Sequence, residues 1–446
     1  MSPQGPPPDR QPPDRQPPDR QRNKTEKHVS LVAGAFADDD NQISVARREN
    51  GDLDYLCQEG FILVRDAYLD QVADVVGGGA PEDGFIDGVT HYSLAGAEIS
   101  AVAAALDAID ARLGVGVATP NHVMSICPGG LCPATEPDEP PRGAGPEPGI
   151  SPGQHGRGAF VYVVDTGKLD DAATHPWLEG VTGDPDEFQA PQIPPYTGHG
   201  TFVAGVARCM APATQMHVAN LMHYSGAHLE KEIVKHLDAA LSLGPDIISL
   251  SAGGTSRKDV PPLGFEALWQ RYRHHKGVVL VAAAGNNAER RPFWPAAFPQ
   301  VVSVGALAAN WRSRASFSDY GGWVDVYAPG EGLVNAYATG TYVCHEPQRA
   351  GEQREFHGMA QWSGTSFATP LVSGLIAARM SRTGESSRRA ADALLAKARA
   401  QVIPGVGPAL YPGDADADQC HHDCGEHHHH GRGGGRHGDG GHHCGC

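Results

Sequence analysis

The sequence predicts an α/β protein: a large domain with a doubly wound, mostly parallel sheet, preceded by a small α+β domain. The large domain is predicted by apolar runs that are too continuous for strands with one exposed face and that suit parallel strands covered on both faces. These runs begin, in chain order, at Ala159, Gln215, Asp246 and Val278. Between the second and third runs, apolar residues recur every four positions from Leu229 to Leu241, the spacing of an amphipathic helix. Strands that alternate with helices are typical of a doubly wound sheet.

The small domain is predicted from a short strand followed by a helix. Phe61–Arg65 is a β-rich run, and apolar residues then recur at spacings of three and four from Ile99 to Leu113, which lines one face of a helix. Ahead of this domain a Pro-Pro-Asp-Arg-Gln unit is repeated, and such a segment cannot bury enough apolar area to fold.

Changes in composition set the domain boundaries. We predict a disordered, proline-rich arm over 1–45 and the α+β domain over 46–126. A Pro/Gly-rich linker over 127–156 then leads to the α/β domain over 157–402, and a His/Cys/Gly-rich tail follows over 403–446.

The charge balance argues against nucleic acid as a partner. The 446-residue chain has a formal net charge of −17, whereas phosphate binding needs basic patches. The longest apolar run, around Val278–Ala284, is far shorter than the ~20 residues of a membrane-spanning helix. The first residues lack the basic head and apolar core of a secretory signal. We therefore expect a cytoplasmic protein that binds neither nucleic acid nor membranes, with non-classical export as the alternative.

Polar residues stand in the α/β domain where packing alone favours apolar ones. Asp165 ends the first apolar run, so it lies at the carboxyl end of a parallel strand, where open α/β sheets gather catalytic groups. His199 stands at a glycine-flanked helix start and Ser366 at the start of another helix. A serine alcohol needs a base to take its proton, and a carboxylate fixes the tautomer of that base. Asn286, just past the fourth run, and the N–H groups at the serine helix offer donors for an oxyanion.

Each of these residues taken alone has an ordinary structural explanation. Asp165 could cap a turn, His199 could be a hydrogen-bonded core histidine, and Ser366 could cap a helix. Asn286 tolerates turn geometry, and Asn287 beside it is the alternative amide donor. Together they supply a nucleophile, a base, an orienting carboxylate and an amide donor, which favours catalysis.

The segments around these residues resemble the signature segments of the subtilisin family of serine endopeptidases. They are Val164–Gly167, Gly198–Gly205, Ala283–Asn287 and Ser363–Pro370, and the resemblance spans roughly residues 157–400. The order Asp, His, Ser matches that family rather than chymotrypsin. The resemblance implies a three-layer subtilisin-like sandwich, a peptide or protein substrate and no cofactor for the chemistry. Structural Ca²⁺ is compatible with it but is assigned to no residues.

The resemblance also implies a role for each site residue. Ser366 is the nucleophile, His199 the general base and then acid, Asp165 the orienting partner and Asn286 a donor of the oxyanion hole. The residues that line the S1–S4 part of the cleft, where an extended peptide adds as a strand, are Ser251, Ala252 and Gly253. Phe293 stands at the base of the S1 pocket, where many relatives have a small residue, so we expect small or medium side chains at P1.

The small N-terminal domain is similar to subtilisin-type propeptides in size, in its β-then-α order and in its place ahead of a linker. This similarity implies an intramolecular inhibitor whose extended segment Pro120–Ser125 lies across the active site. We expect self-cleavage between about residues 125 and 158. The alternative is an unrelated accessory domain.

The tail carries cysteine and histidine at close spacing, a donor set that suits Zn²⁺, Ni²⁺ or copper. The candidate ligands are Cys420, His421, His422, Cys424, His442, His443, Cys444 and Cys446. A metal-binding or metal-sensing protein that uses this tail, with the α/β body as a scaffold, is the second hypothesis for function. The structural alternative is a solvated, low-complexity end.

Overall fold

The computed structural model describes residues 18–38, 41–82, 84–95, 99–126, 134–186, 188, 190–222, 225–273, 277–346 and 348–415. Before the linker the elements are α1 (Pro18–Asp38), β1 (Ile43–Arg47), β2 (Leu53–Arg65), α2 (Leu69–Val76), β3 (Ala80–Pro81), β4 (Val89–Ser93), α3 (Ile99–Leu113) and β5 (Ala118–Ser125). The predicted strand and helix of the small domain are β2 and α3.

The elements after the linker form the large domain. They are β6 (Phe160–Asp165), β7 (Thr182–Gly183), β8 (Gln192–Ile193), α4 (His199–Met210), β9 (Gln215–Asn220), β10 (Ala227–Leu229), α5 (Glu230–Leu241), β11 (Ile247–Leu250), α6 (Leu263–Tyr272), β12 (Val279–Ala283), β13 (Val302–Leu307), β14 (Val326–Pro329), β15 (Leu333–Val343), β16 (Gln353–Trp362), α7 (Thr365–Thr383), α8 (Ser387–Ala400), β17 (Val402–Ile403) and β18 (Gly407–Pro408).

The main sheet has the order β14-β13-β12-β11-β6-β9-β7, and every neighbouring pair in it is parallel. Helices α4 and α7 pack in the core on one face, and α5 and α6 pack in the core on the other. Strands such as Ile247–Leu250 are buried along their whole length, as continuous apolar runs require when both faces are covered. The predicted doubly wound α/β fold is confirmed.

The sheet of the small domain contains a strand from the large domain. Its order is β10-β5-β2-β4-β3, with β1 also paired to β2. Strand β10 pairs antiparallel with β5, placing Ala227 opposite Ser125 and Leu229 opposite Val123. The sheet of the small domain is therefore extended by a strand of the large domain.

The prediction of a disordered arm over 1–45 is wrong for residues 18–38, which form helix α1. Its apolar positions Val29, Val32 and Phe36 are buried against Leu56 and Val123. The helix forms because a distant strand surface covers these side chains, since helical stability in proteins comes mostly from packing an apolar face.

The predicted linker is irregular but attached wherever the structure describes it. Asp138 and Gln361 exchange two backbone hydrogen bonds of 2.8 Å each, and Glu147 forms a bridge to Val334. Glu136 is buried, where it accepts a hydrogen bond from the hydroxyl of Tyr342 at 3.1 Å. The segment is thus bonded to β16 at Asp138 and to β15 at Glu147, and the N–H of Ser151 then donates to the carbonyl of Cys209 in α4 at 2.7 Å.

The tail was predicted to begin at 403, but the chain remains packed to residue 415. The backbone N–H of Leu410 donates to the carbonyl of Tyr327 at 2.9 Å, and Leu410 and Ala415 are buried in the main core.

The segment Thr341–Gln361 lies in the antiparallel hairpin of β15 and β16. Within the described ranges, no helix has the length and apolar character needed to cross a membrane.

Candidate active site

Asp165 and His199 form a buried, hydrogen-bonded pair at the carboxyl edge of the main sheet. Asp165 is the last residue of β6 and His199 the first of α4, and neither is exposed. Nδ1 of His199 lies 2.6 Å from Oδ1 of Asp165, and the same oxygen accepts the backbone N–H of Thr166 at 2.9 Å. The carboxylate favours the tautomer with its proton on Nδ1, which leaves Nε2 able to accept a proton.

Ser366 is the second residue of α7, next to this pair. The ring of Phe367, the following residue, lies 5.3 Å from the His199 ring between centroids, and Trp362 contacts the same imidazole edge-on at 5.5 Å. In the part of the chain that is described, neither Oγ of Ser366 nor Nε2 of His199 has a hydrogen-bond partner, and both atoms are buried. Catalytic hydrogen bonds in a free enzyme often tighten only when substrate binds. Both atoms are therefore available for chemistry.

Asn286 is held by the residue that precedes Ser366. Its Oδ1 accepts both the backbone N–H and the hydroxyl of Thr365, each at 2.9 Å. Because the oxygen is committed in this way, Nδ2 is the end of the side chain that can donate. Asn287 instead uses its backbone N–H on Asp319, at 2.8 Å. The contact to the start of α7 favours Asn286 as the amide donor.

Asp319 is a fully buried carboxyl group beneath this loop. Its Oδ1 accepts the N–H groups of Asn287 and Glu289 at 2.8 and 2.9 Å, and its own N–H donates to the carbonyl of Gly285 at 3.0 Å. Burial raises the pKa of Asp319 well above its ordinary value despite these bonds, because desolvation disfavours the charged form. The carboxyl group thus shapes the loop that carries Asn286.

Ser251, Ala252 and Gly253 follow β11, and the first of them contacts Ser366. The hydroxyl of Ser251 donates to the carbonyl of Ser366 at 3.1 Å. Gly253 exchanges two backbone hydrogen bonds with Ser125, of 2.8 and 3.0 Å. The predicted substrate-binding segment is therefore paired with the last strand of the small domain.

Phe293 fills the space between two glycines of the cleft. Its side chain is buried. A Cβ added to Gly253 would lie 2.5 Å from the edge of the Phe293 ring, and one added to Gly285 would lie 3.0 Å from it. Real Cβ atoms do not approach so closely, so the ring packs directly against both backbones.

Two residues near the site carried no signal in the sequence analysis. His28 of α1 is fully buried, with Nδ1 3.1 Å from the hydroxyl of Tyr196 and Nε2 3.2 Å from that of Ser125. Asp186, in a loop, accepts the backbone N–H of Gly198 at 2.7 Å. Neither stands in a recognisable motif, and a histidine in a polar arm or an acid in a loop is ordinarily solvated.

The eight predicted metal ligands of the tail, from Cys420 to Cys446, lie outside the described residues. Among the residues that are described, no group of three or more His, Cys, Asp or Glu is arranged to hold a metal ion. Structural calcium, which the resemblance left open, is likewise assigned to no residues.

The fold and the groups gathered at its edge define a class of protein. Together, a doubly wound α/β domain, an aspartate–histidine pair at the end of a strand and a serine at the start of a helix are typical of subtilisin-like serine endopeptidases. Comparison with known proteins gives the family. Residues 156–424 match the model of the subtilase family, and the chain belongs to that family.

Individual relatives agree with this placement. The chain is 32% identical over 276 residues to thermitase of Thermoactinomyces vulgaris, covering 59% of this chain and 88% of that protein. It is 30% identical over 245 residues to subtilisin DY of Bacillus licheniformis, covering 52% and 79%. It spans only 58% of the thermophilic serine proteinase of Bacillus sp. (strain AK1), at 32% identity over 56% of this chain.

One solved structure is similar in fold over more of the chain. Fervidolysin from Fervidobacterium pennivorans, described as a keratinolytic enzyme related to subtilisin, aligns with a TM-score of 0.53 and 20% identity. The alignment covers 83% of this chain and 62% of fervidolysin. That coverage exceeds what residues 156–446 can supply, so the likeness in fold extends into the small domain.

Proposed function

We propose that the chain hydrolyses peptide bonds with Ser366 as nucleophile, His199 as general base and then acid, and Asp165 as the group that orients the imidazole. The observation that carries the proposal is the buried 2.6 Å bond between Nδ1 of His199 and Oδ1 of Asp165, with Nε2 and the serine Oγ both lacking partners in the described chain. An imidazole held by a carboxylate on one nitrogen is prepared to take a proton on the other.

The reaction follows from these groups. Oγ of Ser366 attacks the substrate carbonyl carbon while Nε2 of His199 takes the hydroxyl proton, and the carbonyl electron pair moves onto oxygen. Collapse of this tetrahedral species breaks the C–N bond, and the imidazolium gives its proton to the departing amine. Water then attacks the acyl ester in the same way and regenerates the serine. These steps use only side chains and water, so the chemistry requires no cofactor.

Asn286 supports this chemistry by binding the oxyanion. Its Oδ1 is fixed by Thr365, so Nδ2 is pre-oriented and needs no reorganisation when charge develops. The first N–H groups of a helix lack intrahelical partners, and those of α7 lie at Ser366. An amide and a backbone N–H in a water-excluded site stabilise the tetrahedral species strongly.

Phe293 is proposed to limit the S1 pocket to small side chains. The phenyl ring packs against the backbones of Gly253 and Gly285, which occupies the volume a bulky P1 side chain needs. A substrate with a large P1 residue would require the ring to move out of a buried position. We therefore expect cleavage after small or medium side chains in preference to bulky ones.

The small domain is proposed to inhibit the enzyme by lying in the cleft as a substrate strand. Ser125 pairs with Gly253 on one side and lies opposite Ala227 on the other. The next residue, Ile126, donates its N–H to the carbonyl of Gly226 at 2.8 Å. An extended peptide that adds between two strand edges is how such clefts hold substrates. With the end of β5 in this place, a second peptide cannot bind.

The chain is bonded to the large domain again at Ala134. The N–H of Ala134 donates to the carbonyl of Ser363, three residues before Ser366, at 3.1 Å. Residues 127–133, between Ile126 and Ala134, lie outside the described ranges. Self-cleavage in this part of the chain is therefore a proposal that rests on the pairing of Ser125 with Gly253 and on the contact of Ala134 close to Ser366 in the sequence.

Charged contacts secure the small domain on α5 and the neighbouring loop. Nδ1 of His122 lies 2.8 Å from Oε2 of Glu230, and both side chains are buried. Arg257 reaches Asp110 at 2.8 Å and also contacts Asp107. The buried pair of His122 and Glu230 favours one docking register, because a shifted register would leave a buried polar group without its partner.

Mass spectrometry of the full chain, wild type beside Ser366→Ala, tests the proposal. A fluorophosphonate should label wild type at Ser366, and any cut between about residues 125 and 158 should be absent from Ser366→Ala. Ser373→Ala, a buried serine on the same helix, is the matched control and should label and cut normally. A label on another residue contradicts the assigned nucleophile, and a cut that persists in Ser366→Ala contradicts self-processing.

A further inference from the structure

Asp186 lies against the catalytic pair although it belongs to none of the signature segments. The backbone of its loop is fixed beside the turn that follows Asp165. The N–H of Asp186 donates to the carbonyl of Lys168 at 2.9 Å, and the N–H of Lys168 donates to the carbonyl of Asp184 at 2.8 Å. This pairing of segments sets the position of the Asp186 side chain independently of α4.

The carboxylate of Asp186 is bonded to one backbone neighbour of His199 directly and to the other through the hydroxyl of Thr166. Its Oδ2 accepts the N–H of Gly198 at 2.7 Å and the hydroxyl of Thr166 at 3.2 Å. The same Thr166 hydroxyl oxygen accepts the N–H of Gly200 at 3.1 Å. The residues before and after the histidine are therefore both bonded to one carboxylate–hydroxyl unit, and Thr166 directly follows Asp165 in the chain.

Resting on the proposed function, we infer that Asp186 is a positioning residue that ties the start of α4 to the end of β6 and so holds the His199 imidazole on Asp165. The bonds it accepts leave its negative charge at the amino end of a helix, where an anion is favoured. Gly198 has a left-handed backbone with φ of 79°, and a Cβ there would lie 2.9 Å from the Tyr337 ring. That backbone needs an acceptor for its N–H, and Asp186 provides one.

The charge of Asp186 acts on the same imidazole. Burial raises the pKa of Asp186 to about 7, the nearby charge of Asp165 adds to the increase, and the hydrogen bonds from Gly198 and Thr166 oppose it. The remaining charged groups around it are occupied elsewhere: Lys168 donates to the carbonyl of Leu169, and Asp184 accepts the N–H of Asn220. The neighbouring His199 also opposes the increase in the pKa of Asp186, so the two side chains interact electrostatically.

A simple helix-capping role is the alternative, and kinetics separates the two. Asp186→Asn keeps an oxygen acceptor but removes the charge, whereas Asp186→Ala removes both. Asp184→Asn, two residues away on the same loop, is the matched control. The measurements are kcat and KM on a peptide substrate and the rate of fluorophosphonate labelling from pH 5 to 9, made on the full chain after any self-cleavage is complete. Melting temperatures are recorded for each variant.

We expect Asp186→Ala to lower kcat by at least about tenfold with KM nearly unchanged, since small displacements of a catalytic group are costly. Asp186→Asn should recover most of kcat, but its pH profile should lack the change near pH 7 that ionisation of Asp186 produces in the wild type. The inference is overturned if Asp186→Ala matches Asp184→Asn in kcat, or if Asp186→Asn has the pH profile of the wild type. Should Asp186→Ala fail to fold, the pH profile of Asp186→Asn decides alone. Wild type that neither hydrolyses peptide nor labels at Ser366 overturns the proposed function instead.

Discussion

Acid should loosen helix α1 from the large domain through His28. This side chain is fully buried between the hydroxyls of Tyr196 and Ser125, and burial lowers its pKa from 6.5 to about 4. Hydroxyls can donate or accept, so a protonated ring keeps both hydrogen bonds. The cost of protonation is that of placing a charge away from water.

The size of the effect follows from the two pKa values. The pKa of His28 is lower when α1 is docked than when it is not, so the docked form binds fewer protons. The contribution of His28 to docking is therefore complete above pH 6.5 and is lost as the pH falls towards 4. At 1.36 kcal/mol per pKa unit, this difference amounts to about 3 kcal/mol, or more than a hundredfold in the docking equilibrium. Docking of α1 should therefore weaken steadily with acid across that window.

Urea unfolding of the Ser366→Ala chain, in which self-cleavage is prevented, measures this loss. We expect the free energy of unfolding to fall between pH 7.5 and 4.5, and the fall to be smaller by about 2–3 kcal/mol when His28→Asn is added. His91, whose pKa is also lowered to about 4, titrates in both chains and cancels in the comparison. His357→Asn, which replaces an exposed histidine, is the control.

Neutral-pH stability alone does not decide this prediction, because His28→Asn also changes packing. The reasoning fails if the difference in free energy between the two pH values is the same with and without His28→Asn. It also fails if His357→Asn reduces the acid sensitivity as much as His28→Asn does.

Three further predictions concern the cleft and the domain interface. Asn286→Ala should lower kcat by ~10²–10³ with little change in KM, the scale established for such a donor in subtilisin, a relative of this chain; a rise in KM at constant kcat would contradict the oxyanion role. Phe293→Gly should raise kcat/KM for substrates with a phenylalanine at P1 at least about tenfold relative to alanine, and an unchanged P1 profile would show that the ring does not limit the pocket. Glu230→Leu should destabilise the docked small domain by about 3 kcal/mol because His122 is left buried without its partner. Urea unfolding beside Glu232→Gln, a partly exposed acid on the same helix, measures this, and equal midpoints would refute it.

The sequence predicts best where local pattern and final environment agree. The run that became β12 is apolar throughout because both faces of the sheet are covered, and the four-residue spacing that became α5 reflects one buried face. The residues around Asp165, His199 and Ser366 are recognisable because short segments carry both the side chain and the turn or helix start that presents it. Such information is contained within a few neighbouring residues.

Predictions fail where a segment takes its structure from a distant surface. Residues 134–156 have the composition of a linker, yet Glu136 is buried by contacts with a hairpin two hundred residues further along the chain. Helix α1 has a mostly polar sequence, and only the covering surface of β2 and β5 makes Val29 and Val32 core residues. Asp186 is equally invisible, because its importance depends on where Gly198 and Thr166 meet in space.

Strand β10 has a consequence for how the protein forms during synthesis. The small domain leaves the ribosome first. The edge of β5 stays unpaired until β10 has been synthesised, because β10 lies roughly a hundred residues later in the chain. Until β10 has been synthesised, the edge of β5 exposes unpaired backbone groups that can pair with other nascent chains. Helix α1 covers the adjoining apolar surface at Leu56 and Val123. It can therefore shield this part of β5 before the large domain has been synthesised. Removing residues 18–38 should accordingly lower the yield of soluble protein even where the finished enzyme tolerates their loss.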